Sequence, residues 1–295
     1  MNYFILLSVL LITNFLLDSS HCDRCCTINL RKLPSYKLSR IGARSDETII
    51  SRKIVHNLYE CKEFAASRKA LAFNFGLNIN LNGEETQTKN IIIHKTFFLI
   101  KSILPSLINK GSIIRNHLRN EASNRNLCQA LQCPEIYNSS SLIRDKNYRY
   151  YSIYPNYINS GGGTIVCVPK AGLFMLSNNN LNYTQAQMFC QKLNGSLAHV
   201  ISEERMNGLA KFLSHKIPRY VGLSNNDDEK IWKNSFDEPL LCFEYRAWGT
   251  REPSNSRGCV AILTSSSNSS ITAFWKVIPC YVSLPYICEI FPQYQ

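Results

Sequence analysis

Residues 248–288 read WGTREPSNSRGCVAILTSSSNSSITAFWKVIPCYVSLPYIC. Three short pieces carry the chemistry: Glu252-Pro253-Ser254, Trp275-Lys276-Val277, and the cysteines at 259, 280 and 288 around them. Upstream, Trp232 and the run Tyr220-Val221-Gly222-Leu223 stand at short-strand spacings. Before them Met206, Leu209, Ala210 and Leu213 form an apolar helical stripe that Pro218 ends. Ser202 caps that helix, and Glu203 and Glu204 fall in its first turn, where carboxylates suit the helix dipole. Earlier still, Ala186, Phe189, Cys190 and Leu193 recur at i, i+3, i+4, i+7. Asn182 caps this helix, and Gly195 is expected to terminate it. Leu173 to Ser177 predicts the first strand of this half.

The chain has 295 residues, enough for two modest domains with real cores. It begins MNYFILLSVLLITNFLLDSSHC, an uncharged apolar core followed by small polar residues. That pattern predicts a secretory signal peptide over residues 1–20, not a membrane anchor, because the run is short for a span and no basic residue precedes it. All 12 cysteines follow it, and an even number in an exported chain predicts a disulfide framework. Zinc would need paired cysteine knuckles, and the cluster Cys22, Cys25 and Cys26 has no counterpart.

The net charge of +12 is unevenly spread. Residues 21–133 hold 18 Lys/Arg against 8 Asp/Glu, a net of +10, whereas residues 167–295 hold 12 against 10, a net of +2. The front half therefore suits acidic partners such as sulfated glycans, unless it is simply a solvated basic surface. An exported chain makes nucleic acid an unexpected partner. No catalytic set stands out, since His199 and His215 lack a nucleophile nearby and the cysteines are needed for bridges, so an enzyme is not expected.

Residues 22–133 form the first candidate module. Leu58, Cys61 and Ala65 fall on one helical face. Ala70 to Phe75 alternates like a half-buried strand, and Asn126 to Leu131 offers its partner. Residues 76–125 read as an insertion, because so long a stretch between two paired strands is unusual. Its apolar part, 91–108, is near spanning length but contains Lys95 and Lys101. Each mid-membrane lysine costs about 2.5–3.5 kcal/mol, so a membrane span is not expected. Residues 134–166 are rich in Tyr, Asn, Ser and Gly, end in Gly161-Gly162-Gly163, and read as the connection to the second domain, 167–289.

The order helix-borne Cys190, Gly195-Ser196-Leu197-Ala198, Val221-Gly222-Leu223, Trp248, Glu252-Pro253, Cys259, Trp275, Cys280 and Tyr286-Ile287-Cys288 resembles the C-type lectin-like fold along its whole length. The resemblance implies an α+β domain of two helices, short antiparallel strands and long loops. It also implies the disulfides Cys190–Cys288 and Cys259–Cys280. The helix cysteine, aromatic strand and later cysteine strand of the front half resemble the PAN/apple module. That implies a small disulfide-rich α+β module with Cys61 bonded to Cys128, while the module's second helix cysteine is replaced by Ala65. Cys167 and Cys242 are left over, and their pairing stays open.

The resemblance further implies a calcium and sugar site drawn from five positions. Glu252 keeps its carboxylate, but Ser254 is a poor ligand, and Arg257, Lys276 and Val277 occupy the remaining three. Calcium wants six to eight oxygens, several of them carboxylates, so no calcium and no other cofactor is expected there. The candidate ligand-binding set is Glu252, Ser254, Asn255, Arg257 and Lys276. Arg257 and Lys276 would replace the metal and grip a sulfate, phosphate or carboxylate, or else the three charges form a solvated ion-pair cluster. The function expected is recognition of an extracellular glycan or protein ligand without calcium. The alternatives are a calcium-dependent carbohydrate-binding lectin and a structural matrix component. Asn138, Asn182, Asn194 and Asn268 begin Asn-x-Ser/Thr sequons, with Asn194 expected to be the least used because it sits beside a helix end.

Overall fold

The structure, a computed structural model, describes residues 35–77, 125–136, 141–226, 231–254, 257–267 and 270–292. The signal segment 1–20, the cysteine cluster 22–26, nearly all of the expected insertion, and Asn138, Asn255 and Asn268 lie outside them. Among the described residues no helix is long and apolar enough to cross a membrane. The chain divides into a unit over Tyr36–Tyr157 and another over Ile158–Gln295.

The first unit is one antiparallel sheet with a helix on it. Its strands are β1 (Lys37–Ser45), β2 (Ile49–Val55), β3 (Ala72–Gly76), β4 (Asn126–Leu131) and β5 (Leu142–Ser152), in the spatial order β1-β5-β3-β4-β2. Helix α1 (Leu58–Ser67) starts where the Asn57 side chain accepts from the Glu60 N–H, and it buries Cys61 and Ala65. Cys61 is bonded to Cys128 on β4. Phe73 stacks on Tyr151 at 4.8 Å and takes the edge of Tyr36 at 5.0 Å, while the Tyr36 hydroxyl donates to the Ala70 carbonyl. The buried Asn74 donates to Gln129 and to the Ser45 carbonyl, so the polar groups of this face satisfy one another.

Residues 134–166 are not simply a connection. β5 pairs with both β1 and β3 and completes the first sheet, so the first unit runs on to Tyr157. The charged run Arg144-Asp145-Lys146 breaks the apolar alternation, and the β1–β5 register shifts between Ile41 and Ala43. Tyr150, Tyr151 and Tyr154 are buried, as packing of the tyrosine-rich stretch requires.

The second unit holds two four-stranded sheets. One orders β6 (Thr164–Val168), β7 (Gly172–Leu176), β13 (Ile287–Ile290) and β8 (Gly195–Leu197). The other orders β10 (Lys233–Asn234), β9 (Arg219–Ser224), β11 (Cys259–Ser267) and β12 (Ser270–Ile278). The expected first strand is thus the second, because β6 precedes it and begins before Cys167. Helix α2 (Tyr183–Lys192) opens on a capping box between Asn182 and Gln185, and α3 (Glu203–Ala210) is capped by the Ser202 side chain. The left-handed turn after α2 is made by Asn194 (φ 56°), not by Gly195. Gly195 begins β8, and a Cβ there would lie 2.2 Å from the Glu289 carbonyl on β13. Phe174, Met206, Leu209, Val260, Ile262 and Trp275 centre the core. Cys190 is bonded to Cys288 and Cys259 to Cys280; Cys133 and Cys167 are also disulfide-bonded. The chain-entropy estimate gives about 4–5 kcal/mol for a loop near a hundred residues and about 3 kcal/mol for one near twenty.

Candidate ligand-binding site

Trp275 fixes the site from below. Strand alternation turns Trp275 and Val277 into the core and Lys276 outward, so Val277 offers nothing to a ligand. Val277 pairs across the ladder with Val260 and Lys276 with Ala261. The loop that carries Glu252 is tied to the same strand by backbone hydrogen bonds. The Trp275 N–H donates to the Ala247 carbonyl at 2.6 Å, and the Gly249 N–H donates to the Trp275 carbonyl at 2.9 Å. The Glu252 N–H then donates to the Gly249 carbonyl at 3.0 Å. Trp248 meets Trp275 edge to face at 5.2 Å and Trp232 at 5.1 Å, which anchors the loop through aromatic packing. The Glu252–Pro253 peptide bond is cis.

These ties create a cleft of ≈ 520 Å³ beside β12. Trp248, Gly249, Thr250 and Glu252 form one wall. The other is made by β11 and β12, through Ser265, Thr272, Phe274 and Lys276. Glu252 is half-buried and its Oε2 accepts the Ser254 N–H at 2.8 Å. Lys276 is exposed. No ion pair joins Glu252 to Lys276 among the described residues, although both line this one cleft.

Of the expected set, the structure brings Glu252 and Lys276 together, with Ser254 beside Glu252. Arg257 is exposed next to Gly258 and is not part of this cleft's lining. Its position follows from the loop's far end, where Gly258 and Asn225 exchange two hydrogen bonds, at 2.7 Å to the Asn225 side chain and 3.1 Å from its backbone N–H. A pair of cations closing on one anion is therefore not what the cleft presents. Ser265, Thr272 and Phe274 escaped the sequence reading. The available signal was the outward alternation Thr272, Phe274, Lys276.

Among the described residues the cleft's lining supplies a single carboxylate, Glu252, with the Lys276 ammonium on the opposite wall, whereas a divalent cation takes several carboxylate and carbonyl oxygens. Of the two described sequons, Asn194 is exposed and Asn182 is half-buried with its side chain engaged as the α2 cap.

Comparison with known proteins agrees with this architecture. Residues 179–290 match the Lectin C-type domain model. Mouse "C-type lectin domain family 4 member E" is 26% identical over 180 residues, covering 55% of this chain and 79% of that protein. The "Secretory phospholipase A2 receptor" of Pongo abelii is 25% identical over 111 residues, covering 37% of this chain but only 7% of the receptor. Among solved structures, the C-type lectin domain of murine dendritic cell inhibitory receptor 2 in complex with N-glycan aligns at TM-score 0.34 and 17% identity, covering 40% of this chain and 89% of that one. The second unit of this chain has a C-type lectin-like fold, with the family match confined to residues 179–290.

Proposed function

We propose that the protein is an extracellular recognition protein, not an enzyme, and that it binds a glycan in the cleft between the Glu252 loop and β12 without a bridging calcium ion. Lys276 takes an acidic group of the ligand, and Glu252 takes its hydroxyls or amine. One observation carries this reading: Lys276 and Glu252 line one cleft and make no ion pair with each other. Two opposite charges left apart on a concave surface are available to a ligand, whereas a solvated cluster would pair them. The aromatic and hydroxyl-bearing walls suit a sugar's mixed apolar and polar surface. The murine structure cited above carries an N-glycan on the same domain type, which supports a glycan as the ligand class.

Export follows from the apolar leader and the disulfides, and we read the protein as secreted and glycosylated. An apple-like reading of the first unit is supported by its five-stranded sheet and by a helix bonded to β4 through Cys61 and Cys128.

A glycan array run on the whole protein with and without chelator tests the function. The expected result is binding to acidic glycans that chelator leaves unchanged and that Lys276→Met reduces by about tenfold or more, the loss of one charge-assisted contact. Binding that vanishes with chelator and returns with calcium would establish a calcium-dependent lectin instead.

A further inference from the structure

We infer that the cleft reads more than one sugar: the outer face of β12 beyond Lys276 is a second subsite, which takes the next ring of a linear oligosaccharide. This inference rests on the reading that the Lys276 end holds an acidic sugar. Lys276, Phe274 and Thr272 alternate onto one face of β12, and their partners across the ladder are Ala261, Leu263 and Ser265. At the rise of an antiparallel strand, Lys276 and Thr272 stand ~13 Å apart. Both line the same cleft, so the groove is longer than one pyranose ring. Its ≈ 520 Å³ falls inside the range of about 300–1,000 Å³ usual for ligand pockets.

The chemistry changes along the groove. Among the described residues the charges of the cleft are Glu252 and Lys276, and from Phe274 outward no charged side chain of those residues lines it. Phe274 is half-buried, and its ring lies so close to the loop that a Cβ on Gly249 would sit 2.7 Å from Cδ2. The Gly249 backbone therefore holds the ring in place. A fixed aromatic ring offers an apolar surface to the C–H groups of a sugar. Past it, the exposed Thr272 and Ser265 supply hydroxyls that both donate and accept. The Thr272 hydroxyl donates to the Ser265 carbonyl at 3.4 Å, which leaves its lone pairs for a ligand. An aromatic platform followed by neutral hydroxyls suits an uncharged stretch of sugar, attached to the ring whose acid group Lys276 holds.

Titration of the whole protein with a length series tests this. The probes are N-acetylglucosamine 6-sulfate as a single ring, and keratan sulfate fragments of two and four rings, in which each sulfated ring is joined to an unsulfated, neutral galactose. The tetrasaccharide is expected to bind about tenfold tighter than the single ring. Thr272→Trp, which fills the outer groove from an exposed position, is expected to abolish that gain. Phe274→Leu is expected to reduce the gain about fivefold through loss of the aromatic face. Lys276→Met is expected to weaken every probe. A single ring that binds as tightly as the tetrasaccharide overturns the subsite but leaves the acidic-sugar reading intact. So does a length gain that survives both Thr272→Trp and Phe274→Leu. Binding indifferent to Lys276→Met, or no binding of any probe, overturns both.

Discussion

Glu289 shows how a single buried residue can govern stability while lying outside the ligand cleft. Burial pushes its carboxyl up, but the Arg205 charge and its hydrogen bonds, with smaller help from His199, hold it below the ordinary carboxylate value. Arg205 grips it with two nitrogens, at 2.7 and 2.9 Å, and the His199 N–H adds a third bond at 3.2 Å. Arg205→Met should destabilise by about 3–5 kcal/mol, because it strands a buried carboxylate. A depressed carboxyl contributes stability at neutral pH that is lost as pH falls through its folded value, here below the ordinary 4.5. Thermal melts from pH 7 to pH 3 should therefore fall more steeply for wild type than for Glu289→Gln. Parallel curves would remove Glu289 as the source of acid sensitivity. The sequence singled out His199 only as a histidine without a nucleophile, and Arg205 and Glu289 not at all. Their pairing depends on β13 meeting the start of α3, a tertiary event with no local signature.

At the scale of the element, capping was legible and the floor of the cleft was not. Asn182 and Ser202 could be read as caps because a side-chain oxygen next to a helix start does its work within three residues. The strand β12 could be read at Trp275 but not outward, since the residues that matter there face a loop more than twenty positions earlier. Lys276 and Glu252 were legible from their motif positions, whereas Arg257 takes its direction from the Gly258–Asn225 contact, which sequence spacing does not encode. The loop's approach to β12 depends on Gly249. Its absent side chain lets the backbone lie on Phe274 and donate to the Trp275 carbonyl. Gly249→Val should push the loop, and Glu252 with it, away from Lys276. The expected outcome is loss of acidic-glycan binding by about tenfold or more, with the melting transition retained, because the tightest contact of an added Cβ is the half-buried Phe274 ring at 2.7 Å, ahead of the Trp275 carbonyl at 3.3 Å. Circular dichroism and titration on the same sample check both halves, and undiminished affinity would separate the loop's position from binding.

For the whole molecule, the two units divide the charge unequally, and this bears on how any acidic glycan is captured. In the first unit Lys37, Arg40, Arg144 and Lys146 are exposed on the neighbouring strands β1 and β5. Nearby Asp145 and Asp46 lie 3.8 and 3.7 Å from Arg44, so that cation answers the local carboxylates and the other four face solvent. Such a surface attracts polyanions over about a Debye length and loses that attraction as salt rises. A long sulfated polymer would therefore engage two surfaces of different kinds: a diffuse basic one in the first unit and a shaped one at the cleft. Heparin chromatography of the whole protein separates them. Arg40→Glu with Lys146→Glu should lower the salt needed for elution, since it reverses two of the four exposed charges. Lys276→Met should change elution little, because one cation among many contributes weakly to a diffuse field. The order should invert for the keratan sulfate tetrasaccharide, whose affinity should follow Lys276 and ignore the β1–β5 pair. If Arg40→Glu with Lys146→Glu weakens both ligands equally, the first unit supplies all the acidic-glycan affinity and the cleft contributes none.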